Sequence, residues 1–144
     1  MATKAESRAL AEAWELLGEL MLGQRTRMLT IAAEFDLAPA QLLALKTLEP
    51  GKPKPMSDLA CALRCDNSNV TGIVDRLEDR GLVQRKPGER DRRVKMLEVT
   101  REGAELRNRI AKRMGEPPEA LRHLSDDDAE QLRAILARAL GAVS

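Results

Sequence analysis

Aromatic side chains are nearly missing from this sequence, which has one Trp, one Phe and no Tyr among its 144 residues. A core built on large aromatic rings is therefore excluded. Hydrophobic residues still make up 43% of the chain, and charged residues make up 33%. Leu, Ala, Ile, Val and Met must form the core, and this composition predicts packed amphipathic helices in one mostly α domain of ordinary size.

Cysteine and histidine are also scarce. Two cysteines, Cys61 and Cys65, are too few for a disulfide scaffold. With one histidine, no nucleophile elbow and no glycine-rich phosphate loop, the sequence offers no catalytic constellation and no metal or cofactor ligand set. No apolar run approaches the ~20 residues of a membrane span, and no signal-peptide pattern opens the chain. We therefore expect a soluble cytoplasmic protein that is not an enzyme and binds no metal, cofactor or membrane.

Charge is almost balanced over the whole chain, with a formal net charge of +1, but it is unevenly distributed. From Leu82 to Leu97 there are six basic residues against two acidic ones, whereas the segment from Gly115 to Glu130 has six acids against one base. Local charge decides where a polyanion docks. The 82–97 segment is therefore the candidate contact surface for such a partner.

A long first helix is predicted from residue 5 to about residue 34, because apolar residues recur there at spacings of three and four. This stripe is longer than the core of one small domain needs. We expect the helix to pack against a second copy of the chain, and the alternative is a helix lying across its own core. The last helix carries a similar face. The predicted dimerisation residues are Leu10, Trp14, Leu17, Met21, Leu132, Ile135, Leu136 and Leu140.

The central part of the chain predicts two short helices joined by a tight turn. The first runs from Asp58 to about Arg64 with Ser57 as its N-cap, and the second runs from Asn67 to Arg80 with Asp66 as its N-cap. Gly81 supplies the left-handed residue that ends the second helix. The apolar residues of its predicted inner face are Val70, Ile73, Val74 and Leu77.

Beyond the second helix the hydrophobic period changes to that of strands. Residues 82–85 and 94–99 are predicted as two strands, joined by a charged loop from Lys86 to Arg93. Upstream, the Lys-Pro-Lys-Pro run of residues 52–55 favours an extended linker. Two helices joined by a turn and followed by a hairpin form a winged helix-turn-helix, whose second helix enters the DNA major groove. We expect this fold, mostly α with a small two-stranded wing.

The tip of the predicted hairpin gathers Arg90, Arg92 and Arg93. Like charges so close together repel one another unless an anion is present. A narrow minor groove attracts inserted arginine because its negative potential is enhanced there. Asp91 lies among these bases, placed to brace one guanidinium by a bidentate pair. A merely solvated run of charge is the alternative.

These motifs resemble those of the MarR family of transcriptional regulators. The matching stretches are MSDLA at 56–60, VTGIVDRLEDRGLV at 70–83, RDRR at 90–93 and LEVTREG at 97–103. The resemblance implies a triangular homodimer that binds a pseudo-palindromic operator as a repressor. It also implies release by a small ligand, often an aromatic acid or phenol, or by thiol oxidation. On the same basis Arg93 is expected to reach the minor groove beside Asp91.

The predicted organisation is a single domain over residues 1–144. Residues 37–100 form the DNA-binding lobe, and residues 1–36 and 101–144 form the dimerisation helices, so the expected partners are double-stranded operator DNA and a second copy of the chain. The predicted DNA contacts are Ser57, Asn67, Ser68, Asn69, Thr71, Gly72, Asp75, Arg76, Arg85, Lys86, Arg90, Asp91, Arg92 and Arg93. Gly72 costs its helix ~1 kcal/mol relative to Ala, which a close approach to the DNA backbone would justify; a tolerated surface glycine is the alternative.

The expected effector is a small molecule. Ligands of the family tend to lodge between the dimerisation helices and the winged lobe, which points to Trp14, Met21, Arg25, Phe35 and His123, although each also fits an ordinary core or surface role. Two alternative functions follow from other residues. One is a thiol-based redox-sensing regulator that uses Cys61 and Cys65. The other is a winged-helix module that binds protein instead of DNA, against which the density of wing arginines argues.

Overall fold

The computed structural model describes the backbone of residues 4–141 and the side chains of residues 8–66 and 68–141. Its helices and strands are, in order, α1 (Lys4–Glu34), α2 (Pro39–Thr47), β1 (Lys54–Pro55), α3 (Met56–Leu63), α4 (Asn67–Asp79), β2 (Val83–Pro87), β3 (Lys95–Val99), α5 (Arg101–Gly115), α6 (Glu119–Arg122) and α7 (Asp126–Gly141). The predicted mostly α class with a small antiparallel sheet is confirmed.

The chain divides into two compact units. The first, the winged unit, consists of residues 25–115. The second, the terminal-helix unit, is formed by the described residues of 4–24 and 116–141. Every buried side chain among the described residues belongs to the winged unit, between Ile31 and Ile110. The hydrophobic core of the described chain is therefore the core of the winged unit.

The two central helices, α3 and α4, form as predicted except at the start of α3. Val70, Val74 and Leu77 on α4 are fully buried and Ile73 is half-buried, so the predicted inner face is confirmed. The prediction of Ser57 as N-cap of α3 is wrong. The helix begins at Met56, two residues before the predicted start at Asp58, because Pro55 already holds the extended cap conformation at φ −60° and ψ 148°.

The turn between α3 and α4 is fixed by backbone geometry and by one carboxylate. Arg64 ends α3 in the left-handed conformation at φ 52°, and the Cys65 N–H then donates to the Ala60 carbonyl. Asp66 is the N-cap of α4, as predicted, and its carboxylate accepts a bond of 2.9 Å from the Asn69 N–H. This bond, with one from the Ser68 hydroxyl, lowers the pKa of Asp66. The first turn of α4 is thereby held in place.

The wing contains a third strand that the expected two-stranded hairpin lacked. β2 and β3 pair antiparallel, from Val83 opposite Val99 to Pro87 opposite Lys95. β1 pairs with the other edge of β3, giving the order β1-β3-β2. The expected extended linker at residues 52–55 thus includes a sheet-edge strand. A proline is tolerated there because an edge strand has backbone groups that need no partner.

The junction of β3 and α5 depends on a glycine. Thr100 caps α5 through a bond of 3.1 Å from the Gly103 N–H to its hydroxyl. The Thr100 N–H donates in turn to the Leu82 carbonyl at 3.0 Å. A Cβ at Gly103 would lie 2.0 Å from that carbonyl oxygen, so a side chain there would displace backbone. α5 therefore packs closely on the residue that leads into β2.

The terminal-helix unit contains the first part of α1 together with α6 and α7. Ser125 caps α7 by accepting a bond of 3.1 Å from the Asp128 N–H. No single helix in the described part of the chain is both long and apolar enough to cross a membrane, whereas the bent pair Arg8–Glu34 and Pro39–Thr47 passes that test by length and composition.

Candidate nucleic-acid interface

The outer face of α4 is polar and open to solvent. The Asp66 cap orders its first turn, and the buried apolar residues set the rotation of the helix about its axis. The predicted contact residues with described side chains on this face are all exposed: Ser68, Asn69, Thr71, Gly72, Asp75 and Arg76. The side chain of Asn67 lies outside the described residues. A Cβ at Gly72 would meet nothing within 4 Å, so the fold itself does not require glycine there.

The wing tip, residues 88–94, is a tightly closed loop. The Gly88 N–H donates to the Val94 carbonyl at 2.8 Å, and the Val94 N–H donates to the Asp91 carbonyl at 3.1 Å. A Cβ at Gly88 would lie 2.6 Å from that Asp91 oxygen, so the closure depends on glycine. The Asp91 carboxylate accepts the Arg93 backbone N–H at 3.0 Å. The expected bidentate pair with a guanidinium is therefore wrong: among the described contacts, this carboxylate orders the loop backbone.

The three arginines of the wing tip are exposed and uncommitted. Within the described residues, the guanidinium groups of Arg90, Arg92 and Arg93 make no hydrogen bond and no ion pair. They extend from a loop whose backbone is ordered by its own hydrogen bonds. The tip therefore presents three cations without a neutralising carboxylate, as a polyanion-binding surface would.

The two other predicted wing contacts, Arg85 and Lys86, are paired within the winged unit. Arg85 bonds the Asp75 carboxylate at 2.5 Å and the Glu78 carboxylate at 2.8 Å. Burial lowers the pKa of Arg85, but these two carboxylates outweigh it and the pKa is raised. Lys86 pairs with Glu98 across the β2–β3 ladder and lowers the pKa of that carboxyl. The structure thus separates the predicted wing cations into two paired residues and three uncommitted ones.

The remaining predicted contact, Ser57, and the two thiols lie on or next to α3. Ser57 is exposed. Cys61 is exposed and Cys65 is half-buried against the core, and both are free thiols. Among the described residues no group of three or more His, Cys, Asp or Glu side chains could hold a metal ion.

The residues expected to line an effector pocket fall into both units. Trp14, Met21 and His123 belong to the terminal-helix unit and are exposed. Arg25 and Phe35 belong to the winged unit, where Phe35 is half-buried with the Arg109 guanidinium 5.3 Å from its ring centroid. The winged unit also contains an open cleft of about 580 Å³ at the wing, lined by residues that include Val94 and Met96 and by none of these five.

The residues predicted to form a dimer interface are mostly exposed within one chain. Leu132 is half-buried, and Leu10, Trp14, Leu17, Met21, Ile135, Leu136 and Leu140 are exposed. Leu16 and Leu22, which are not among the predicted interface residues, are each 65% exposed. At 100° per residue these two lie on either side of the predicted stripe of α1. Apolar side chains therefore extend around much of the helix, a pattern typical of a helix that is packed on several sides.

Comparison with known proteins places this arrangement among regulators. The sequence model of the MarR family matches residues 37–95. The transcriptional repressor MprA of Escherichia coli (strain K12) is 31% identical over 128 residues, which cover 82% of this chain and 69% of MprA. A transcriptional regulator of Thermotoga maritima of known structure has a TM-score of 0.78 and 26% identity, covering 92% of this chain and 94% of its own. A mutant of S. aureus MepR bound to an oligodeoxyribonucleotide shares the fold, with a TM-score of 0.72, 21% identity and coverage of 91% and 98%.

Proposed function

Because this chain belongs to the MarR family and is a DNA-binding transcriptional regulator, we propose that it is a repressor that binds a pseudo-palindromic operator as a homodimer. Its DNA-binding lobe corresponds to residues 37–100, and residues 1–36 and 101–144 supply the dimerisation helices. In this arrangement α4 enters the major groove and the wing tip reaches the adjacent minor groove.

The observation that carries the proposal is the wing tip with its three uncommitted arginines. A guanidinium in a narrow minor groove gains from the enhanced negative potential there. The exposed face of α4 supplies short hydrogen-bonding side chains such as Ser68 and Asn69, which suit base edges and phosphates. We assign Arg93 to the groove, and Arg90 and Arg92 to the groove or to the flanking phosphates.

The homodimer is supported by the apolar surface of the terminal-helix unit. None of its described side chains is buried, and even large apolar side chains are open to solvent: Trp14 is 68% exposed and Ile135 is 52% exposed. Large exposed apolar patches mark interaction sites. A second copy of the chain has the same apolar faces. A two-fold contact between the terminal helices of the two copies would therefore cover the apolar face of each copy.

The test is DNA binding as a function of salt. A labelled duplex that the protein selects from fragmented genomic DNA is titrated by fluorescence anisotropy at several salt concentrations. We expect log K to fall steeply with log salt, because each neutralised phosphate releases condensed counterions. A flat dependence would contradict the proposal and favour the protein-binding alternative.

The role of the wing is tested with two matched variants. Arg93→Ala is expected to weaken binding by roughly 1–3 kcal/mol. Arg101→Ala removes the same charge from a side chain that is 89% exposed and pairs with Glu105, and serves as the control. Wild-type affinity in Arg93→Ala would eliminate the wing assignment, whatever the salt dependence of the wild-type protein.

Release by a small aromatic or phenolic ligand completes the proposal and rests on family membership. Its candidate residues remain Trp14, Met21, Arg25, Phe35 and His123. Substituted benzoates and phenols are added to the protein–duplex complex, and a specific effector should lower the anisotropy in proportion to its affinity. The exposed thiol of Cys61 supports the thiol-based alternative. In that case peroxide would release wild-type protein but not Cys61→Ser.

A further inference from the structure

An ion cluster of Asp75, Arg85 and Glu78 joins α4 to the wing, and we refer to it as the helix–wing clamp. Asp75 and Glu78 project from α4, and Arg85 is the middle residue of β2. The guanidinium of Arg85 bonds Asp75 through Nη2 at 2.5 Å and Glu78 through Nη1 at 2.8 Å. The second Glu78 oxygen accepts the Arg85 backbone N–H at 3.0 Å. Side chain and backbone of one wing residue are thus both tied to the groove-reading helix.

The clamp differs from an ordinary surface ion pair in burial and geometry. The Arg85 side chain is 19% exposed, compared with 89% for Arg101 in the α5 pair with Glu105. A planar guanidinium that engages two carboxylates is held in one orientation, which a single flexible pair does not achieve. A phosphate would have to compete with two carboxylates for the same donors.

The clamp also lies where a small rotation has a large effect. β2 ends at Pro87, and the tip residues 88–94 lie beyond it. Arg85 therefore fixes the hairpin at the middle of β2, and the uncommitted arginines lie beyond the end of that strand. Any tilt of β2 against α4 would displace those arginines by more than it displaces Arg85 itself.

We propose that Arg85 is a positioning residue, which raises operator affinity by fixing the wing tip relative to α4 and not by contacting DNA. Asp75 and Glu78 are its partners, so Asp75 is assigned to the clamp and not to base reading. The inference rests on the DNA-binding function proposed above.

The first test separates positioning from phosphate contact by the salt dependence. Arg85→Ala and Arg93→Ala are compared on the genomic duplex selected by wild-type protein, with Arg101→Ala as control. Loss of one phosphate contact reduces the log–log slope by about 0.9. We expect Arg85→Ala to lose at least tenfold in affinity, while its log–log salt slope stays equal to that of Arg101→Ala. A slope reduced by about one contact would overturn the inference.

Arg85→Lys sharpens this test. Lysine retains the positive charge but cannot engage two carboxylates through a planar fork, whereas it does bind phosphate as a point charge. Positioning therefore predicts that Arg85→Lys loses most of the affinity that Arg85→Ala loses. Near-wild-type affinity in Arg85→Lys would assign Arg85 to phosphate binding. A urea unfolding midpoint close to that of Arg101→Ala shows that a variant is folded.

A double-mutant cycle with Asp75→Asn provides an independent readout that does not depend on the slope. In wild-type protein Asp75→Asn breaks half of the clamp, and we expect weaker binding. In Arg85→Ala the clamp is already broken, and we expect Asp75→Asn to change binding little. The same effect in both backgrounds would overturn the clamp. Absence of salt-dependent binding by the wild-type protein would instead defeat the proposed function itself.

Discussion

The winged unit and the terminal-helix unit use apolar residues in opposite ways. In the winged unit Leu42, Leu59 and Leu77 are fully buried, and the hydrophobic core is continuous between helices and sheet. In the terminal-helix unit no described side chain is buried, and Leu10 and Leu140 are more than 70% exposed. The winged unit therefore meets its burial requirement within one chain. The proposed homodimer would meet that of the other unit.

Arginines show a related difference inside the winged unit. Arg80 donates to the Phe35 and Asp36 carbonyls after the end of α1, and Arg107 donates to the Leu45 and Lys46 carbonyls of α2. These side chains satisfy backbone acceptors near helix ends. Some of the arginines therefore stabilise the fold. The uncommitted arginines of the wing tip are a better indication of DNA binding than the total number of arginines in the chain.

The largest expected effect tests whether the winged unit has a self-sufficient core. Leu77→Ala removes a fully buried side chain of α4 and is expected to lower the free energy of unfolding by roughly 2–5 kcal/mol. Urea denaturation followed by circular dichroism measures the loss. Leu43→Ala, at a side chain that is 42% exposed, is the control. An equal loss in both variants would contradict the description of the core.

The next prediction compares the effect on stability of replacing two helical glycines. Gly103→Ala places a Cβ against the Leu82 carbonyl and is expected to cost roughly 1–3 kcal/mol of stability, the usual range for overpacking. Gly72→Ala meets open space and is expected to raise stability by up to ~1 kcal/mol. Thermal unfolding measures both changes. Reduced duplex binding by the more stable Gly72→Ala protein would show that DNA approaches this position closely.

A smaller effect is expected on dimerisation, and it is tested by comparing two surface leucines of similar exposure, one from each unit. Leu17 is 37% exposed and Leu43 is 42% exposed. If the terminal-helix unit is the dimer interface, Leu17→Glu raises the dimer dissociation constant at least tenfold, or about 1.4 kcal/mol. Leu43→Glu leaves it unchanged. Analytical ultracentrifugation decides between these outcomes, and a Leu17→Glu protein that dimerises like wild type would refute the assignment of this face.

The smallest effect is the pH dependence of the α4 cap. The Asn69 N–H and the Ser68 hydroxyl lower the pKa of Asp66, so the folded state binds that proton less readily than the unfolded chain. The resulting stabilisation is present above the unfolded pKa of about 3.9 and is lost as the pH falls through the lower folded value.

Asp66→Asn keeps a capping oxygen but cannot titrate. Its urea midpoint should therefore fall less steeply in acid than that of wild type. Part of the acid sensitivity remains, because Arg113 and Lys86 lower the pKa values of Glu34 and Glu98 in the same direction. Identical acid profiles for the two proteins would show that the cap does not contribute.

The features that the sequence predicted well are local ones. The Asp66 cap and the left-handed Gly81 each depend on residues within a few positions of one another. The inner face of α4 follows from helical periodicity. Such short-range rules act in nearly the same way in any fold, so one sequence is enough to apply them.

The features that the sequence missed depend on long-range distances or on very short segments. β1 has two residues, too few for any strand period, and it pairs with β3 about forty residues later. The pairing of Arg85 with Asp75 requires the turn at Gly81 to bring β2 back along α4. The sequence predicted that Asp91 pairs with a guanidinium, but the fold of the loop brings the Arg93 backbone N–H to its carboxylate instead.

The closed loop of the wing tip has a consequence for the entropy of binding. Three hydrogen bonds, from the N–H groups of Gly88, Arg93 and Val94, order its backbone before any DNA is present. Fixing one residue's backbone costs roughly 1–2 kcal/mol, and here that cost falls on folding and not on association. Docking then has to immobilise only the arginine side chains, at about 0.5–1.5 kcal/mol each. Part of the affinity for DNA is therefore established when the loop folds.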